Sequence, residues 1–136
     1  MEQRSTILPD EAATQAFGQQ LAMVLPPRCI VYLSGDLGAG KTTFLRSVIQ
    51  TLGYEQQVKS PTYSLVETYP TLNPVVYHFD LYRISDAEEL EYIGAEDYFT
   101  QIACCFVEWP ERGAGWLPPC DLHLYFQYHA EGRSVR

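Results

Sequence analysis

The sequence predicts an α/β domain, a mixed central sheet flanked by helices, and three adjoining features predict it. Cys29-Ile30-Val31-Tyr32-Leu33 is a continuous apolar, β-branched run of the kind that forms a parallel strand buried on both faces. Directly after it, Gly35-Asp36-Leu37-Gly38-Ala39-Gly40-Lys41-Thr42 fits the pattern glycine, four residues, glycine, lysine, threonine at every fixed position. Behind that loop, residues 43–52 repeat apolar side chains at helical spacing, with Leu45, Val48, Ile49 and Leu52 in one stripe. Strand, glycine loop and helix in that order form a phosphate loop in the context it requires, so a single P-loop domain over residues 1–136 is expected.

The chemistry follows from the residue types. Glycines let the backbone curl until successive N–H groups converge on phosphate oxygens, and the helix behind them adds its positive N-terminal end. Lys41 is then placed for the β and γ phosphates of a nucleoside triphosphate, and the Thr42 hydroxyl for magnesium.

The 136 residues, 46% of them hydrophobic, are enough for one packed core. Seventeen acidic residues against nine basic give a net charge of -8, which suits solubility and disfavours a direct grip on nucleic acid. The N-terminus lacks the charged, apolar and small-residue succession of a secretory signal, and no apolar run nears the ~20 residues that span a bilayer. A cytoplasmic protein without a membrane partner is expected. The four cysteines, Cys29, Cys104, Cys105 and Cys120, lack paired Cys-x-x-Cys spacing, so reduced, buried thiols are expected over a zinc site.

Asp10 is placed to cap a first helix running to about Leu25, with Phe17, Leu21 and Val24 on one face and Pro26-Pro27 as its stop. Glu11 in its first turn reads most simply as a charge well placed at a helix N-terminus. Gly53 ends the phosphate-loop helix, and residues 54–59 read as a loop. Residues 63–69 and 75–80 read as an antiparallel hairpin around the turn at Pro70–Pro74. Ser85-Asp86-Ala87-Glu88 has capping-box spacing and opens a helix that ends at Gly94. Residues 102–107 are a second continuous apolar run, Leu122–Phe126 alternates as a strand, and residues 133–136 read as the start of a strand that the chain does not complete.

A phosphate loop needs a further acid at the end of a neighbouring buried strand, because magnesium takes hard oxygen ligands between the phosphates and the sheet. Glu108, closing the run 103–107, is the first candidate. Asp80, closing the strand before it, is the second, suited to order a metal-bound or attacking water. The plainer alternative makes each acid a loop cap or a partner of Arg83 or Arg112. His78 shares a strand face with Asp80 and has metal-ligand character, although a hydrogen-bonded histidine beside the site is the simpler reading. Trp109 offers an aromatic face to a base or partner, or buries itself at the core's edge.

Four segments, Gly35–Thr43, Ser60-Pro61-Thr62-Tyr63, His78-Phe79-Asp80-Leu81-Tyr82-Arg83 and Val107-Glu108-Trp109-Pro110-Glu111, together closely resemble the bacterial TsaE (YjeE) family, from about Asp10 to Arg133. The resemblance implies the small ATPase of the machinery that makes threonylcarbamoyladenosine at position 37 of tRNA, working with TsaB and TsaD and meeting tRNA through those partners. It further implies that Asp36, Leu37, Gly38, Ala39, Gly40, Lys41, Thr42 and Thr43 hold the phosphates of ATP, that Thr42 and Glu108 bind Mg2+, and that Asp80 assists hydrolysis. Ser60 and Thr62 resemble a switch-like segment that senses the γ-phosphate, and Glu11, Glu111 and Arg133 fall near the base and sugar. Relative to the family, the final strand and tail are short.

Two other functions compete. A small P-loop metabolite kinase should carry an arginine-rich lid, whereas nine basic residues are spread here without a lid-like cluster. A nucleotide-dependent binding module with negligible turnover of its own would use the same motifs, and partner-stimulated hydrolysis separates it from a self-sufficient ATPase.

Overall fold

The computed structural model describes residues 4–36, 39–59, 65–129 and 132–135. Among them run β1 (Thr6–Leu8), α1 (Glu11–Val24), β2 (Cys29–Gly35), α2 (Lys41–Thr51), β3 (Val66–Tyr69), β4 (Val76–Asp80), α3 (Glu89–Tyr92), α4 (Ala95–Phe99), β5 (Cys104–Glu108), a 3-10 turn (Pro110–Gly113), β6 (Leu122–His129) and β7 (Gly132–Val135). The seven strands form one mixed sheet in the order β1-β7-β6-β2-β5-β4-β3. Its middle, β6-β2-β5-β4, is parallel, and β7, β1 and β3 join antiparallel at the two edges.

The parallel centre explains the apolar runs. Val31, Leu33, Cys104, Phe106 and Val107 are fully covered because helices occupy both faces. On one face Ala22 of α1 and Phe44, Leu45, Val48 and Ile49 of α2 close the core, and on the other Leu90, Ala95 and Phe99 of α3 and α4 do so. The expected stripe on α2 is therefore the core stripe, ended by Gly53 at φ +112.

Helix α1 starts as expected, with the Ala13 amide donating to Asp10 Oδ1 at 2.8 Å. Of its expected face, Phe17 and Leu21 pack against the core but Val24 is 72% exposed, and the most buried positions are Thr14, Gly18 and Ala22. Small residues let α1 lie close on α2, so the covered stripe is one that apolar periodicity underweights. The hairpin forms with Val66 opposite Phe79 and Tyr69 opposite Val76, while residues 63 and 64 of its expected first strand lie outside the described residues. The capping carboxylate before α3 is Glu89 rather than Glu88: Glu89 Oε2 accepts from the amides of Ser85 and Asp86 at 2.9 and 3.1 Å. Ile102 is exposed and precedes β5 instead of belonging to it.

At the chain's end, β7 pairs with β6 on one side and with β1 on the other, and β1 is too short to announce itself in the sequence. The four cysteines are free thiols, and burial pushes Cys104 and Cys105 up to about 12, leaving them protonated. No helix among the described residues is long and apolar enough to cross a membrane.

Candidate nucleotide site

The parallel strands β2, β4 and β5 end on the same side of the sheet, and α2 starts there, at the carboxyl edge where open α/β sheets bind ligands. At the end of β2 the chain must turn sharply past β6. Gly35 does so at φ +140, and a Cβ there would lie 2.3 Å from the Phe126 carbonyl oxygen. Gly40, at φ +107, is the N-cap of α2. Between them the Ala39 amide donates to the Asp36 carbonyl at 3.1 Å. Leu37 and Gly38, expected at the phosphates, lie outside the described residues, as do Ser60 and Thr62 of the switch-like segment.

Lys41, the first residue of α2, is only 4% exposed. Its Nζ donates to the Gly35 carbonyl at 2.6 Å and sits 4.1 Å from the centre of the Trp109 ring. Burial lowers the ammonium below the ordinary lysine range, and the charges of Glu108, Asp80, Glu111 and Asp36 oppose that shift. Each of those acids is an expected site residue, so the fold brings them from the loop after β2, the ends of β4 and β5, and the 3-10 turn to where their charges reach one cation. Thr42 is exposed at the next position of α2, and Thr43 is half-buried behind it.

The two strand-ending acids are neighbours, because the parallel register sets Asp80 of β4 opposite Glu108 of β5. Glu108 is 5% exposed and accepts a 2.6 Å hydrogen bond at Oε2 from His78 Nε2. Asp80 Oδ1 accepts from the Tyr82 amide at 3.0 Å. Burial raises the Asp80 carboxyl, and the charge of Glu108 adds to the shift, against the Tyr82 bond, His78 and Lys41.

A raised carboxyl makes the folded chain bind that proton more readily than the unfolded chain does. Ionised Asp80 therefore costs stability as pH rises from the ordinary carboxylate range through its raised folded value, and the cost vanishes in acid. Asp80→Asn is accordingly expected to melt higher than the parent near neutral pH without nucleotide, with the gap closing in acid. The same variant should lose about 10²-fold or more in triphosphate hydrolysis. Paired melting curves at both pH values with a turnover assay check both halves, and an unaltered hydrolysis rate rejects a role in the reaction.

Trp109 is half-buried at the edge of the core, and its ring lies under the Lys41 ammonium. Pro110 disfavours the right-handed helical region for it, and it adopts φ 57, ψ 50, uncommon for a bulky residue. Tyr82 packs on the same ring at 5.0 Å, and the Arg112 guanidinium stands 5.4 Å from the Tyr82 ring centre. Arg112 thus caps aromatic faces.

The remaining expected residues are spread around this centre. Glu11 is exposed in the first turn of α1, and because α1 runs back to the start of β2 its N-terminus lies at the phosphate-loop end. Glu111 is exposed in the 3-10 turn, and its charge reaches both Lys41 and His123. Arg133 stands in β7 opposite Leu8 and Tyr128.

Sequence reasoning did not single out the β6 side. There Ser34 Oγ meets His123 Nε2 at 2.8 Å and Tyr125 OH meets His123 Nδ1 at 3.1 Å. An open cleft of ≈ 410 Å³ lies beside them, lined by Gly35, Asp36, Tyr125, Phe126 and Gln127. Its volume falls in the range of small-molecule sites, roughly 300–1,000 Å³. Nothing in single-sequence spacing links position 34 to position 123, since the pairing of β2 with β6 is made only in the fold.

Among the described residues, no group of three or more His, Cys, Asp or Glu side chains is arranged to hold a metal ion by itself. Magnesium on a nucleotide does not require one, because phosphates and water supply most of its ligands. The residues present fit that arrangement: Thr42 exposes a hydroxyl, and hydrogen bonds among the described residues engage Glu108 at Oε2 and Asp80 at Oδ1, sparing the other oxygen of each.

The family model described as threonylcarbamoyl adenosine biosynthesis protein TsaE matches residues 8–135. The chain belongs to the TsaE family. A relative from Haemophilus influenzae, named tRNA threonylcarbamoyladenosine biosynthesis protein TsaE, is 44% identical, the match covering 99% of this chain and 89% of that protein. The Bacillus subtilis protein of the same name is 38% identical, over 88% of this chain and 73% of its own. Among solved structures, the crystal structure of Bacillus subtilis YdiB superposes with a TM-score of 0.79 at 27% identity, covering 97% of this chain and 80% of that one. The TsaE-family fold and the single mixed sheet agree with the α/β P-loop architecture expected from the sequence.

Proposed function

We propose that this TsaE-family chain is the ATP-binding and hydrolysing subunit in formation of threonylcarbamoyladenosine at position 37 of tRNA, acting with TsaB and TsaD. The observation that carries the chemical half is Lys41, a buried ammonium anchored on Gly35 at the start of α2 with Asp36, Asp80, Glu108 and Glu111 around it. A buried cation at a helix N-terminus beside a glycine turn is suited to the anionic β and γ phosphates. Thr42 and Glu108 would hold Mg2+, which when bound would draw charge from the phosphates. Asp80 would orient the attacking water, and Trp109 keeps the Lys41 side chain aimed at the loop. Ser60 and Thr62 would report the γ-phosphate to the partners, while Glu11, Glu111 and Arg133 would lie toward the base and sugar.

The pathway half rests on family membership and on charge. A net charge of -8 leaves few cations to release counterions from tRNA, so the nucleotide state is read by protein partners. The test is the ATP hydrolysis rate of the chain alone, with the TsaB–TsaD pair, and with that pair and tRNA. Stimulation by the pair, with repeated rounds of tRNA modification only when this chain is present, is the expected result. Transfer of the γ-phosphate to a small metabolite, or tight salt-dependent binding to free tRNA, overturns it.

A further inference from the structure

His78 stands directly behind Glu108, and the inference drawn from it rests on reading Glu108 as a magnesium-shell carboxylate. The two side chains are buried, at 4% and 5% exposure, and meet at 2.6 Å. An ionised carboxylate only accepts, so the proton of this bond is on Nε2 and the ring donates. The other ring nitrogen, Nδ1, is buried with no hydrogen-bond partner among the described residues.

For packing alone, an imidazole is a poor choice at this position. Val76 precedes it on the same strand face, and Phe106 is its neighbour in β5, both fully buried. A leucine or phenylalanine would fill such surroundings without stranding a polar atom. What the imidazole provides in return is one thing, a donor on one oxygen of Glu108. Asp80, on the same strand face, shows the same arrangement: its Oδ1 is tied to the Tyr82 amide.

We propose that His78 is a positioning residue for the magnesium site: by engaging Oε2 it fixes the plane of the Glu108 carboxylate and presents Oε1 alone to the metal or its water shell. Untied, the carboxylate is free to rotate out of that plane, and no single oxygen is held ready for the metal. Groups that hydrogen-bond a metal's ligands set their orientation, and losing one costs about 10–100-fold in metal affinity or activity.

The test compares the full chain with His78→Leu, His78→Asn and His78→Gln. Glutamine can place an N–H where Nε2 stands, asparagine cannot, and leucine has none. Binding of a non-hydrolysable triphosphate is measured calorimetrically across a magnesium series and with a chelator, beside melting curves taken without nucleotide. In the leucine and asparagine variants the magnesium-dependent gain in affinity should shrink about 10-fold or more, with chelator-condition affinity unchanged, and glutamine should restore most of the gain. An equal magnesium dependence in all variants, with only the melting temperature lowered, makes His78 structural and overturns the proposal. Glutamine as poor as leucine overturns it too, and the asparagine–glutamine contrast still decides if the leucine variant does not fold. A parent chain that binds triphosphate without any gain from magnesium instead defeats the metal-shell reading of Glu108 itself.

Discussion

Lys41→Met is expected to lose triphosphate binding and hydrolysis while keeping its fold. The lysine stem is enclosed, with the residue 4% exposed, and methionine replaces that stem with a flexible apolar chain of similar reach. What disappears is the ammonium that bonds Gly35 and lies over Trp109. Because burial lowers the Lys41 ammonium, its charged form costs the folded chain stability at neutral pH. That cost fades only as pH rises through the lowered folded value toward the ordinary lysine value. The melting temperature without nucleotide should therefore hold or rise. Charge-assisted contacts to phosphate contribute about 1.5–3 kcal/mol each, so triphosphate affinity should fall about 10-fold or more. Loss of a fixed charge aimed at the transition state should lower hydrolysis by about 10²-fold or more. Calorimetric binding, turnover and melting on one preparation check all three, and a folded variant with near-normal turnover rejects the phosphate-loop assignment.

The centre of this site was legible in the sequence because it is local. Strand, glycine turn, Lys41 and helix follow one another within residues 29–51, so one motif places them all. The strand-ending positions of Asp80 and Glu108 were legible too, from the apolar runs before them. Their adjacency was not, because pairing β4 with β5 is a non-local event that no spacing encodes. For the same reason Ser34 and His123 went unlinked until β2 lay beside β6. On α1 the miss is partial and has another cause: Phe17 and Leu21 of the hydrophobic stripe pack on the core, but close helix packing buries Thr14, Gly18 and Ala22 more deeply and leaves Val24 exposed. His78 was read as a hydrogen-bonded neighbour of the site, and the fold supplies its partner, Glu108.

That partnership makes Glu108→Ala an ambiguous experiment and Glu108→Gln a decisive companion to it. Alanine removes the carboxylate and also strands the His78 ring, whose second nitrogen is already without a partner among the described residues. Leaving a buried donor unmet costs about 1–3 kcal/mol, which for a chain of 136 residues corresponds to roughly 3–10 °C in melting temperature. Glutamine keeps an oxygen for His78 Nε2 to bond and removes only the charge. Two electrostatic changes then oppose each other: Asp80 loses a repulsive neighbour, and Lys41 loses its largest attractive one. Glu108→Gln should consequently melt close to the parent chain, while Glu108→Ala melts lower. Hydrolysis with magnesium should nevertheless fall by about 10²-fold or more in both, since a neutral amide is a far weaker ligand for a hard cation than a carboxylate. Binding measured with a chelator should hold or strengthen in the glutamine variant, because that measurement leaves out the magnesium contribution and the phosphates lose a neighbouring negative charge. Turnover retained in a well-folded Glu108→Gln protein would remove Glu108 from the metal shell and leave it a structural partner of His78, whereas equal melting of both variants would show that the buried pair contributes nothing to the fold.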